Sequence, residues 1–499
     1  MAMPAKTKYP LLVLLLALAI FLRFYRLPTT PPGLYRDEAI NAINAVEAAA
    51  TGHYRAFYPE NNGREGLYVN AIALLFAFFD APHDPWVVRL PAAVAGVLTV
   101  PGLYLLVAEL LGDGPGLFAA FLLATSFWHI NFSRIGFGAV FAPLLLCWAL
   151  YFFTKAVRAA DPRAAGWHAA FAGIVYGLGF YTYIAYRITP LLFLAFVPFF
   201  KRSAHFWRRA GVFVAAAFVV AAPLGWYFLE HPGEFLHRAS EISVAGAASP
   251  VAEFGANAAK ELLMFNVRGD SNWRHNISGA PELFLPVGLL FLVGIAIGIY
   301  SLERRGRDGI QGRTAERVIF PAFPVVLAFL WFFLALLPAA LSDEGIPHAL
   351  RSILMLPPAI ILATMGGVCL YRWIKNWNRG VAVAAAWVFL IGAGAAGYRD
   401  YFLVWAHNPN VPPAFDAGYV ETGREINALP ASTPKYVVVG VGGVMVRGIP
   451  MPAETTMFIT DTFTPAGQAA KNVHYVLPDK FGVIPKGTIP WDATVFIIR

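Results

Sequence analysis

Apolar runs of membrane-spanning length recur from residue 10 to residue 398, and they fix the solvent of this chain before any motif is considered. A helix needs roughly 20 mostly apolar residues to cross the hydrocarbon core. Runs near 10–27, 86–110, 115–132, 138–157, 168–183, 186–200, 210–229, 283–302, 318–341, 352–371 and 381–398 approach that length, so about eleven crossings are expected. With 58% of its 499 residues hydrophobic and 14% charged, the chain carries more apolar material than one soluble core can bury. The first run follows Lys6 and Lys8 and continues past Ala17-Leu18-Ala19, a triplet that mimics a cleavage site. It reads as an uncleaved anchor.

The apolar stretch 67–79 is too short to cross and is read as an interfacial helix. Leaving it out of the count places the basic clusters on one side: Lys155, Arg158 and Arg163; Lys201, Arg202, Arg208 and Arg209; Arg304, Arg305, Arg307, Arg313 and Arg317; and Arg372, Lys375 and Arg379. Cytoplasmic loops carry such an excess, so that side and the N-terminus are expected to be cytoplasmic. The net charge of +8 therefore marks topology, not a nucleic-acid surface. Cys147 and Cys369 both sit in apolar runs and read as packing residues, without a disulfide or thiolate metal site.

The outer side then receives the loop 28–85, the loop around Ser133-Arg134, the turn from Tyr183 to Arg187, the loop 230–282, the segment 342–351 and the C-terminus. From residue 399 the hydropathy drops. Segments 436–441, 456–460, 473–477 and 494–498 are short and β-rich, and 417–428 is helix-like, so 399–499 is expected to be a small extracytoplasmic α/β domain beside a membrane domain of 1–398. Gly440-Val441-Gly442-Gly443 reads as a plain strand-ending turn in preference to a phosphate loop.

The chemistry gathers on the outer side. Tyr35-Arg36-Asp37-Glu38 follows the Pro-rich stretch 28–33, and charge at a bilayer interface is costly unless it is used. Taken alone, Asp37 serves equally as a catalytic carboxylate or as an N-terminal partner of the helix 39–50. The outer arginines Arg36, Arg64, Arg134, Arg187, Arg268, Arg274 and Arg351 run against the topological bias. Bidentate phosphate binding explains some of them, and headgroup contact or helix capping the others.

Several motifs, in order, resemble a known family: Arg23-Phe24-Tyr25-Arg26-Leu27, Pro31-Pro32-Gly33-Leu34, Asp37-Glu38-Ala39, Gly63-Arg64-Glu65-Gly66-Leu67-Tyr68 and Val88-Arg89-Leu90-Pro91. They continue with Trp128-His129-Ile130-Asn131-Phe132-Ser133-Arg134, Tyr181-Thr182-Tyr183-Ile184-Ala185-Tyr186-Arg187 and Pro347-His348-Ala349-Leu350-Arg351-Ser352. Over residues 10–398 the chain resembles the polyprenyl-phosphate-sugar-dependent glycosyltransferases of the GT-C superfamily, in the protein O-mannosyltransferase-like and aminoarabinose-transferase-like branch.

The resemblance implies a helical membrane fold whose first external loop carries the catalytic carboxylate, with a sugar passed from a polyprenyl phosphate to an acceptor outside the cytoplasm. It makes Asp37 the base and Glu38 its neighbour or understudy. Such a transfer needs a base for the acceptor hydroxyl and cationic charge for the phosphate leaving group. Arg36, Arg64, Glu65, Arg134, Tyr183, Arg187, His348 and Arg351 are the candidates for contacting donor phosphate or sugar. Arg64 and Glu65 read first as a pair that fixes the loop and second as sugar contacts, and His348 serves equally as a core or capping histidine.

Two departures from the branch limit the transfer: 135–139 lacks the further carboxylate, and Gly63-Arg64-Glu65 replaces a Lys-Pro-Pro. No metal-ligand spacing is evident, so no metal and no cofactor are expected beyond the lipid-linked sugar. The expected partners are that donor, a glycan, lipid or protein acceptor, and membrane lipids. The competing functions are a flippase or transporter of lipid-linked saccharides and a non-catalytic glycan-binding scaffold. A transporter would call for mid-span polar groups or inverted repeats, and neither is seen.

Overall fold

Helices dominate because a segment in the hydrocarbon must satisfy its own backbone hydrogen bonds. The computed structural model describes residues 3–79, 82–203, 205–235, 243–246, 248–310, 320–479, 483–485, 487–491 and 493–499. Arg313 and Arg317 of the expected basic clusters lie outside these. Among the described residues, eight helices are long and apolar enough to cross: Ala5–Phe24, Pro85–Leu111, Gly138–Arg158, Phe206–Glu230, Leu285–Arg304, Ala322–Ala340, Ile353–Trp377 and Arg379–Trp405.

The other three expected spans have less regular form. Residues 115–132 divide into Asp113–Thr125 and Phe127–Phe132, separated by Ser126, whose hydroxyl accepts from the His129 amide and starts the second piece. Residues 186–200 form a 3₁₀ helix, Ile184–Phe196, followed by one α-turn, Val197–Phe200. The steeper ~2.0 Å rise of a 3₁₀ helix lets so short a segment approach spanning length. Residues 168–183 fall largely within Pro162–Gly179, which starts on the Asp161 cap. Leu67–Phe79 is a separate helix, as expected, about 20 Å long and so short of a crossing. It buries Tyr68, Val69, Ile72 and Ala73 and exposes Leu74, Phe78 and Phe79.

The chain packs as two units. One comprises 1–25, 93–133 and 138–405; the other comprises 26–92, 134–137 and 406–499. The loop 28–85 thus packs with the C-terminal domain. That domain centres on a parallel sheet with Lys435–Val439 between Val473–Val476 and Thr494–Ile498. Val437, Val439, Val473 and Ile498 form its core with Ile426 of the Ala417–Ala428 helix.

Residues 456–460, expected as a strand, instead belong to the helix Glu454–Thr460. Local β-propensity is overridden by burial: every residue of that helix is buried, and Thr460 Oγ1 donates back to the Thr456 carbonyl. Residues 440–443 lead from the central strand into a short hairpin, Met445–Val446 with Ile449–Pro450, and so open no helix.

Candidate active site

The first-loop helix runs Arg36–Thr51, after Pro-rich chain that cannot continue a helix and an extended Tyr35. Its first turn carries two acids, Asp37 and Glu38, suited to the positive end of the helix dipole. Of the two, Glu38 is the one that reaches back: its Oε2 accepts from the Tyr35 amide at 3.0 Å. Glu38 is wholly buried. Oε1 accepts from Arg89 Nε at 2.8 Å and from the Gly136 amide at 2.6 Å, and Oε2 from Arg89 NH2 at 2.9 Å. Arg89, equally buried, also donates to the carbonyls of Pro31 and Gly33. A side chain at 136 has no room, since a Cβ there would stand 2.9 Å from Glu38 Oε1 and 3.1 Å from Val88 Cγ1.

Asp37 is placed differently, with a third of its side chain (33%) exposed. Its Oδ1 accepts from Asn61 Nδ2 at 2.9 Å and pairs with Arg64 NH2 at 3.1 Å. Arg64 NH1 donates to Asn41 Oδ1 at 2.9 Å, and Asn41 Nδ2 to the Gly136 carbonyl at 3.1 Å. A tight turn delivers these groups: Asn61, Asn62 and Gly63 all have positive φ, and the chain returns so that Arg64 pairs with Tyr58 and Glu65 with Phe57. Glu65 is buried on this hairpin. The result is an accessible carboxylate held by an amide and a guanidinium, next to a second carboxylate closed off in an ion pair.

Two other expected residues lie in the same unit. Arg36 is engaged by Asp416 through its backbone N, Nε and NH2, at 3.1, 2.9 and 2.7 Å. Arg134 is fully buried and donates from NH2 to the Thr30 carbonyl at 2.8 Å. The sequence reading missed Arg89, Asn61, Asn41 and Asp416. A lone charge in the first turn of an apolar span was a usable signal for Arg89, and Asn61-Asn62-Gly63 for a turn. Nothing local marked Asp416.

Tyr183, Arg187, His348 and Arg351 belong to the other unit. Tyr183 is buried. Arg187 lies over the rings of Phe228 and Phe235, at 4.9 and 4.6 Å, and donates to the Phe235 carbonyl. Arg351 bonds Ser342 Oγ and the Glu344 carbonyl and pairs with the Glu344 carboxylate at 3.5 Å. The Glu344 side chain is 73% exposed.

His348 sits in a buried polar cluster. Its amide donates to Glu261 Oε1, Ser352 Oγ donates to Glu261 Oε2, and its ring lies 4.8 Å from that of His275. Burial pushes Glu261 up to about 7. Burial, then the neighbouring His275, Arg351 and Arg274, hold His348 well below the ordinary histidine range. Asp270, His275 and His348 offer donor atoms within 4.8 Å of one another, a spacing that could receive a metal. Asp270 Oδ2 is, however, already the acceptor for His275 Nδ1 and the Ala349 amide, at 2.8 and 2.9 Å. Burial lowers the basicity of His275, with smaller contributions from Arg274 and Arg351, and Asp270 opposes them.

These features define a class: a polytopic helical membrane protein with a carboxylate-bearing loop joined to a small α/β domain. No curated protein matches the chain. Residues 68–227 match the family described as dolichyl-phosphate-mannose-protein mannosyltransferase. Among solved structures, it is similar to ArnT from Cupriavidus metallidurans bound to undecaprenyl phosphate, with TM-score 0.56 and 15% identity, covering 93% of this chain and 89% of that one. It is also similar to the archaeal oligosaccharyltransferase AglB from Archaeoglobus fulgidus in complex with an inhibitory peptide and a dolichol-phosphate, with TM-score 0.54 and 13% identity, covering 94% of this chain and 64% of that one. The chain thus has a GT-C-like fold.

Proposed function

We propose that the protein is an integral membrane glycosyltransferase that takes a sugar from a polyprenyl-phosphate donor and passes it to an acceptor hydroxyl on the extracytoplasmic face, with Asp37 as the base. The observation that carries this reading is the division of labour between adjacent carboxylates. Glu38 is buried and bound to Arg89, while Asp37 remains partly open and is held by Asn61 and Arg64. In the reaction Asp37 takes the acceptor proton, the acceptor oxygen bonds to the anomeric carbon, and the bond from that carbon to the phosphate oxygen breaks, releasing polyprenyl phosphate. A phosphate leaving group needs positive charge and no proton donor, so one carboxylate suffices. Glu38 is assigned to positioning.

In its own unit, Arg351 is assigned to donor phosphate. Its carboxylate partner, Glu344, is largely exposed, and such a pair contributes no more than ~1 kcal/mol, so the anionic phosphodiester of the donor displaces it readily. The similar structures contain undecaprenyl phosphate and dolichol-phosphate, which supports a lipid-linked donor. The test is to incubate purified protein with synthetic polyprenyl-phosphate monosaccharides, follow polyprenyl phosphate release, and compare surface glycoconjugates by mass spectrometry with and without the gene product. Release from none of the donors, with unchanged glycoconjugates, would remove the assignment.

A further inference from the structure

We infer that the C-terminal α/β domain is a clamp on the Arg36–Thr51 helix, and that Arg36 and Asp416 act as positioning residues for Asp37. This rests on the reading of Asp37 as the base.

The start of that helix is capped locally by Glu38, whose Oε2 accepts from the Tyr35 amide, but a helix N-terminus leaves its first amides without intrahelical partners and so has room for further acceptors. One such acceptor comes from a residue 380 positions away: Asp416 Oδ2 accepts from the Arg36 amide at 3.1 Å, the first amide of the helix. The same carboxylate is forked by the Arg36 guanidinium, at 2.9 and 2.7 Å, and its side chain is only 5% exposed. Asp416 thus supplies both a cap and a negative charge at the positive end of the dipole, one residue before Asp37. It does so from a left-handed backbone, φ 51°, a conformation an aspartate tolerates better than most side chains.

A second grip holds the other end. Arg447, in the turn of the Met445–Val446 hairpin, forks onto Glu47, one turn before the helix ends, and onto Glu60, at 2.9 Å from Nε. Glu60 precedes Asn61, whose amide side chain holds Asp37 Oδ1. One guanidinium therefore ties the helix to the turn that presents the partners of its carboxylate. Between the grips, Ile40 packs with Val446 and Met451, and Thr455 Oγ1 donates to the Leu34 carbonyl at 3.0 Å. Gly33 lies so close that a Cβ would stand 2.3 Å from the Phe415 carbonyl oxygen. An appended binding module would not need to hold this helix at both ends and in the middle.

The experiment uses full-length protein carrying Arg36→Gln, Asp416→Asn, both together, or Arg447→Gln, the last at a more exposed pair that leaves folding intact. Rates of polyprenyl phosphate release are measured against the concentration of a synthetic polyprenyl-phosphate monosaccharide that the wild type consumes. Melting temperature and amide exchange of residues 36–51 are measured beside them. Each single variant at position 36 or 416 should lower kcat ~10- to 100-fold with donor KM within about twofold, since small misplacements of a reacting group cost that much. The double variant should be no worse than the worse single, because the two act through each other. Arg447→Gln should lower kcat by a smaller factor, roughly threefold or more.

A rise in donor KM with kcat intact in Arg36→Gln would make Arg36 a donor ligand and overturn the inference. So would additive losses in the double variant, or kcat unchanged in all four. If Asp416→Asn fails to fold, Arg447→Gln decides on the same criteria. If the wild type consumes no donor, it is the proposed function that fails. The clamp is then judged by amide exchange alone: faster exchange over 36–51 in Asp416→Asn supports it, and unchanged exchange ends it.

Discussion

Arg89 grips Glu38 through two hydrogen bonds, 2.8 Å from Nε and 2.9 Å from NH2, and neither side chain is exposed to solvent. Burying two charges is costly, and the cost is offset only when geometry and further hydrogen bonds are good. Here the Gly136 and Tyr35 amides complete the carboxylate and the Pro31 and Gly33 carbonyls complete the guanidinium. The pair therefore fixes how the Pro-rich chain, the loop helix and the 134–137 segment meet inside one unit.

Removing one partner leaves the other charge buried and uncompensated, at about 3–5 kcal/mol. Glu38→Gln and Arg89→Met should each lower the melting temperature and the amount of protein recovered from membranes. A Glu38→Gln protein with wild-type melting and no turnover would return Glu38 to the chemistry.

Arg64 sits on the carboxylate that does the work in this reading, 3.1 Å from Asp37 Oδ1. A cation there favours the ionised form, so its removal raises the pH needed to ionise Asp37. In Arg64→Gln the acid limb of the pH-rate profile should move to higher pH, and Arg64→Lys should move it less. A loss of rate with an unmoved acid limb would mean that Arg64 does not act on Asp37.

The parts of this protein legible in its sequence are those governed by local periodicity. The helix 417–428 and the short helix 67–79 lie where hydropathy puts them, because amphipathic spacing and length are local properties. Residues 456–460 were misread because their β-branched run is overruled by burial among neighbours that no local window contains. The order of motifs drew attention to Asp37, yet which acid caps the helix depended on Arg89 and Gly136, about 50 and 100 residues away. For Arg36 and Arg134 the sequence offers only their expected outer placement, which suggests phosphate contact. Asp416 and the Thr30 carbonyl, their partners in the fold, carry no sequence mark of that role.

The buried Glu261 gives the cluster around His348 a pH dependence. Its carboxyl titrates near 7 in the folded protein against 4.5 when unperturbed, so between those values the native state holds a proton that the unfolded state has lost. Stability then falls as pH rises through that window and is lowest above 7. Amide protection near residues 261 and 348, corrected for the intrinsic rise of exchange with pH, should fall between pH 5.5 and 8, and Glu261→Gln should flatten the trend. A cluster equally protected across that range in the unmodified protein would contradict the shift.

Topology is open to a direct test. If Leu67–Phe79 lies along the interface, single cysteines at Gly63 and Asp84 should react with a membrane-impermeant maleimide from the same, outer side. Opposite labelling would make that helix a crossing and invert the assignment of every later loop.

Asp37→Asn is the decisive substitution. Asparagine has nearly the same shape, caps a helix about as well as aspartate, and still offers an oxygen to Asn61 and Arg64. It cannot take a proton from an acceptor hydroxyl. Because Glu38 reaches back to the helix start and Glu38 with Arg89 fixes the loop, the variant should fold and bind donor normally. Transfer should fall ~100-fold or more, the contribution expected of a positioned general base. Measuring release of polyprenyl phosphate together with protein abundance and donor KM separates the possibilities. Lost abundance would give Asp37 a structural role, a raised KM would make it a donor contact, and near-normal turnover would take the base away from it altogether.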